Sequence, residues 1–192
     1  MVTSRPSQKS NLRPFLRPQL DALFVALNSP TQSNDNGHYF SGRGSRFFYL
    51  LYLSGLITKE LPKATADETM FGSTSVNHKG CAFGVVDLVD DLVQTNSGKV
   101  RPTRQHVDLL FARIREFKPR FVCVIHSKVR KALNKNLESA DQLDYGICDS
   151  LLRGSKSVFV LSYFPNENNV PDQKKLRIFR ALGTNSDTRC LL

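Results

Sequence analysis

Cysteine is scarce and scattered in this 192-residue chain. Its four cysteines, Cys81, Cys123, Cys148 and Cys190, form no Cys-x-x-Cys pair. That removes the usual zinc and iron–sulfur spacings. Few, dispersed thiols suit a reducing compartment. Cys190 stands third from the end, so there is no prenylation box, which needs the fourth position. No apolar run reaches membrane-spanning length. Residues 1–20 hold four basic side chains, no acidic ones and three prolines. They lack the continuous apolar core of a secretory signal and read as a basic arm, loose or draped over the domain. Acidic residues are also in deficit: 17 Asp and Glu against 27 Lys and Arg, a net charge of +10. That field favours a polyanion such as nucleic acid. No Gly-x-x-x-x-Gly-Lys-Ser/Thr loop is present, and Gly42-x-Gly44 has no third glycine. Both absences count against a nucleotide-binding, flavodoxin-like domain.

What is present fits one domain over residues 21–192. Apolar residues make up 40% of the chain, enough for a full core at this length. Four apolar runs, Ala22–Leu27, Ala82–Val89, Phe121–Ile125 and Val158–Leu161, have strand length and are separated by helical sequence. The alternation predicts an α/β fold with three α/β/α layers and a central four-stranded parallel sheet. Helices are expected near Ser45–Gly55, over Pro102–Lys118, from Lys128 to Lys135 and over Pro171–Leu182, with Gly183 as the last stop. In the last of these Leu176, Phe179 and Leu182 point inward and Lys174, Lys175, Arg177 and Arg180 outward. Asp67–Phe71 is expected as a short helix.

The chain is organised around Leu23–Leu56. The first apolar run stops at Asn28-Ser29-Pro30, and a polar loop with His38, Tyr39 and Phe40 follows. Ligands of open α/β sheets bind beyond the carboxyl ends of strands, so this loop is a candidate site. From the residues alone, Asn28 is either a strand-end turn former or a polar site group.

The spacing in this stretch resembles the uracil-DNA glycosylase superfamily, closest to its mismatch-specific uracil/thymine-DNA glycosylase branch. The resemblance rests on Asn28, Gly37-His38-Tyr39-Phe40, Gly42-Arg43-Gly44-Ser45-Arg46-Phe47-Phe48 and Ser54-Gly55-Leu56. It extends to Phe83–Val89 as second strand, to Arg101-Pro102-Thr103 and Phe117–Arg120, and to Val160–Asn169 in the place of the second motif. Ala26 and Pro30 replace the usual glycines, Ser29 replaces proline, and the second motif lacks its wedge residue.

The resemblance implies a monofunctional DNA-repair glycosylase that hydrolyses the N-glycosidic bond of uracil in DNA by base flipping. Asn28 would place the water as catalytic residue, and Phe40 would stack on the base. Leu27, Ser33, His38, Tyr39 and Asp87 would complete the base pocket. Arg43, Arg46, Asn166, Asn168 and Asn169 would meet DNA, with Glu167 facing phosphate. Asp35 and His126 are further site candidates. Arg43, Arg46, Lys128, Arg130 and Lys131 follow strand ends, where they face phosphate or form solvated helix faces. The reading calls for no cofactor and no metal, for uracil-containing DNA as partner, for a monomer, and for a nucleoid or nuclear location. The departures in both motifs suggest, as the alternative, a catalytically silent DNA-binding relative.

Overall fold

The computed structural model describes residues 11–137, 141–166 and 168–186. Four buried strands form at the four apolar runs. They are β1 (Ala22–Ala26), β2 (Phe83–Asp87), β3 (Phe121–Val124) and, later in the chain, β5 (Val158–Leu161). A short strand, β4 (Gly146–Cys148), precedes β5 and makes a fifth. The sheet order is β2-β1-β3-β5-β4. β1 lies parallel to both β2 and β3, and β3 parallel to β5, while β4 runs antiparallel on β5. The expectation of four parallel strands is therefore corrected to five, one of them antiparallel. β4 has no apolar run to announce it: Ile147 is exposed, and Gly146 takes a positive φ of 108°.

Every residue of β1, β2 and β3 is buried, because helices cover both faces. Ala22, Phe24 and Ala26 face α2 (Phe47–Ser54) and α5 (Asp172–Ser186), packing with Phe47, Leu50, Leu51 and Phe179. Leu23, Val25 and Leu27 face α3 (Arg104–Phe117) and α4 (Ser127–Asn136), packing with Val107, Leu110, Val129 and Leu133. Thr103 caps α3 by accepting from the His106 amide, and the His106 ring accepts from the Thr103 amide in return.

Three local expectations need revision. The loop after β1 contains a short helix, α1 (Thr31–Asn36), closed by Gly37 at φ 80°. The Asp67–Phe71 helix is a π turn over Glu68–Gly72. α5 continues through Gly183 to Ser186, and Lys175 on it is buried rather than outward. Its ammonium donates to the Asn166 carbonyl at 2.8 Å and lies 3.5 Å from the Asp172 carboxylate, so the buried charge is both hydrogen-bonded and paired.

Residues 11–20 drape over the sheet edge. Phe15 and Val85 exchange backbone hydrogen bonds of 3.0 and 3.1 Å, so the edge of β2 is covered. Gly84 makes room for this crossing: a Cβ there would meet the Phe15 carbonyl oxygen at 2.5 Å. Met1–Ser10, the rest of the basic arm, lies outside the described residues, as do Glu167 and Cys190. No helix among the described residues is long and apolar enough to cross a membrane.

Candidate functional site

A cleft of about 400 Å³ opens at the carboxyl ends of the parallel strands. β1 supplies Ala26–Pro30, β2 supplies Asp87, and His126 follows β3. Phe164–Asn166 follow β5, and Ser33, Tyr39, Phe40 and Gly42–Ser45 come from the loop after β1. This is the switch point between β1 and β3, where such sheets bind ligands.

Asn28 sits where β1 leaves the sheet and is 9% exposed. Its Nδ2 donates to three carbonyl oxygens: Gln94 at 2.8 Å, Ser29 at 3.1 Å and Leu92 at 3.3 Å. An amide oxygen cannot face three carbonyls, so the orientation is fixed by chemistry. Oδ1 is left without a hydrogen-bond partner among the described residues, on a side chain that lines the cleft. The loop that supplies these carbonyls is itself anchored, since the Gln94 amide donates to the Ser29 carbonyl at 3.0 Å.

Phe40 adopts a left-handed backbone, φ 55°, which costs a bulky residue about 1–3 kcal/mol. Its surroundings hold it there. The ring stacks on Phe47 with centroids 4.0 Å apart and lies edge-on to Phe48. Its neighbour Tyr39 is pinned because the Tyr39 amide donates to the Asp67 carboxylate at 2.7 Å. One face of Phe40 is thus covered while the ring lines the cleft. The Tyr39 phenol is buried and pushed well above its ordinary pKa, first by burial and then by the Asp87 charge.

Ser33 is buried in the wall and accepts from the Gly42 amide at 3.2 Å, which ties the end of α1 to the glycine turn. Leu27 lines the cleft through its place on the strand, while its side chain packs on the opposite face of the sheet. His126 caps α4: its Nδ1 accepts from the Lys128 amide at 3.0 Å. Burial, then the Lys128 charge, pushes its pKa down to about 4, so the ring is neutral at pH 7. It packs edge-on against Phe164, 5.3 Å between centroids, at the cleft mouth.

Of the residues expected around the base and its water, two are not brought to the cleft. His38 points the other way, its Nδ1 2.9 Å from the Asp67 carboxylate, and braces the loop. Asp35 is exposed on α1 and lines a separate surface recess with Asn34 and Asp67.

The second-motif loop is stitched to the first. Ser45 and Asn166 form a β-bridge, and the Arg46 amide donates to the Pro165 carbonyl at 2.9 Å. The Arg46 guanidinium pairs with Asp172 at 2.7 Å, so it fastens α5 rather than standing free for phosphate. The Asn166 amide oxygen is buried without a partner among the described residues. Asn168 braces its own loop through Phe164 and Val170, and Asn169 is exposed. Arg43 is exposed at the cleft mouth. Lys128 is occupied by the carbonyls of Ser97, Gly98 and Val100, Arg130 by Asp144 at 3.0 Å, and Lys131 is exposed.

The sequence reading missed Ser29, the Gln94–Ser97 loop, Asp67 and Phe164. Ser29 donates to Asp87 at 2.7 Å across two strands, a contact no local pattern encodes. Among the described residues, no group of three His, Cys, Asp or Glu side chains is placed to hold a metal ion. No protein-family model and no curated protein matches this chain.

Proposed function

We propose that this protein hydrolyses the N-glycosidic bond of uracil in DNA, after flipping the base into the cleft. The observation that carries the reading is the Asn28 amide: its NH₂ is held by three carbonyls, which leaves its oxygen without a partner among the described residues, on a residue that lines the cleft. An amide oxygen orients a water molecule without deprotonating it. A weakly activated water suffices when the sugar has become oxocarbenium-like, as in other glycoside hydrolysis. The uncovered face of Phe40 is a platform for the base, worth about 1–3 kcal/mol by stacking. Asp87 and the Ser29 hydroxyl stand at the base edge. Arg43, exposed at the cleft mouth, suits phosphate.

No lysine is among the described residues that line the cleft. The product is therefore an intact abasic strand, with no Schiff-base intermediate. The test is abasic-site formation in labelled oligonucleotides bearing one uracil, single- and double-stranded, with and without excess EDTA. Release that survives EDTA is expected. Absence of release from every uracil substrate would overturn the reading.

A further inference from the structure

In the proposed excision Asp87 stands at the base edge, where its charge decides what it can bind. Asp87 ends β2 opposite Ala26, deeper along the strands than Asn28. It is 3% exposed. Its Oδ2 accepts from the Ser29 hydroxyl at 2.7 Å. Its Oδ1 has no hydrogen-bond partner among the described residues, and the side chain lines the cleft.

No described basic side chain pairs with Asp87. Asp90, beyond the strand end, adds a second negative charge, itself paired with Arg113 of α3 at 2.8 Å. Tyr39, on the facing loop, stays a neutral phenol, and Asp67 behind it is paired with His38. His126, which follows β3 on the cleft wall, is neutral above about pH 4. Arg43 is exposed at the mouth. The floor of the cleft therefore offers a carboxyl in dry surroundings with one oxygen committed and one open.

We propose that Asp87 reads the flipped base as a neutral carboxylic acid, its Oδ1–H donating to a ring carbonyl, so that an oxo base is held while Asp87 keeps its proton and rejected once it ionises. The proposal rests on the excision reading. A departing base gathers negative charge on its ring carbonyls, and a donor aimed at one of them stabilises that charge. A carboxylate in the same place repels it, strongly so where water is excluded. Ionised Asp87 can only accept: it suits the amino group of cytosine, whereas on uracil it reaches only N3–H and sets its charge against the ring carbonyls on either side. Burial, supplemented by Asp90 and opposed by the Ser29 hydrogen bond, lifts the carboxyl to about 7. The switch then falls within the ordinary working range.

The experiment is equilibrium binding of the full chain to labelled single-stranded oligonucleotides from pH 5.5 to 8.5 at constant ionic strength. They carry, at one position, a 2′-fluoro uracil nucleotide, a 2′-fluoro cytosine nucleotide or an abasic analogue. The fluorine slows bond cleavage, so binding alone is read. The affinity ratio of uracil to abasic should fall on the order of tenfold as Asp87 ionises, while the cytosine ratio does not fall. In the Asp87→Asn variant, which always carries an NH₂ donor, the uracil ratio should lose its pH dependence. A uracil ratio independent of pH in the wild type, or an equal fall in Asp87→Asn, would overturn this inference and leave excision standing. Uracil that binds no better than the abasic analogue at any pH would overturn the excision reading, and this inference with it.

Discussion

The Asn28 Nδ2 lies 2.8 Å from the carbonyl oxygen of Gln94, 66 residues away, and this bond decides which end of the amide meets the cleft. It also makes the side chain structural. Asn28→Ala should lower stability by about 1 kcal/mol, the usual net worth of a lost hydrogen-bonding group. Asn28→Asp is nearly isosteric but sets a carboxylate against three carbonyls, so it should melt lower than Asn28→Ala at pH 8. Thermal unfolding of the two variants is the check. Asn28→Asp melting at or above Asn28→Ala would mean the amide is turned the other way.

Asp87 links stability to pH. Its carboxyl is lifted to about 7 from an ordinary 3.8, chiefly by burial. The folded value lies above the unfolded one, so its contribution to stability is fully present below about 4 and lost as pH rises through 7. Asp87→Asn removes the penalty of the buried charge. Its melting temperature relative to wild type should therefore rise between pH 5 and pH 8. An unchanged difference would mean that Asp87 stays charged in the fold throughout.

His126 has the opposite sign. Its folded pKa of about 4 lies below the ordinary 6.5, so the stability it carries is present above 6.5 and lost as pH falls towards 4. As the cap of α4 it should cost about 1 kcal/mol when replaced by Ala, and His126→Ser should recover most of that. The Ser variant should also lose part of the acid sensitivity. Melting curves at pH 4.5 and 7.5 test both statements. Equal melting of Ala and Ser variants would rule out the cap.

Gly84 tests the strap at the sheet edge. A methyl there meets the Phe15 carbonyl at 2.5 Å and a Leu20 methyl at 2.6 Å. Gly84→Ala should cost about 1–3 kcal/mol, the usual range for overpacking. Hydrogen exchange should rise at the Phe15 and Val85 amides, which bond to each other's carbonyls. Unchanged protection there would show that the strap contributes nothing to the edge.

The core strands were legible because they are buried on both faces and so carry apolar runs, from Ala22–Ala26 to Val158–Leu161, with Asp87 at the end of β2 as the one charged exception. β4 was not, since three residues at an edge need no such run. Asn28 and Phe40 could be placed at a strand end and in its loop, and the structure brings both to the cleft. What local sequence could not supply was pairing across the chain. Arg46 and Lys175 look like solvated cations until Asp172 and the Asn166 carbonyl are set beside them. His38 stands two residues before Phe40 in sequence, yet Asp67 draws it away from the cleft.

The central claim is that the Asn28 oxygen positions the hydrolytic water. The most direct measurement is the single-turnover rate of uracil release by wild type and Asn28→Ala, at a pH and temperature where both are folded. The account predicts release by the wild type and a loss on the order of 10²–10⁴ in the variant, the scale of one positioned polar group, with DNA affinity nearly unchanged. Near wild-type release by Asn28→Ala would contradict it.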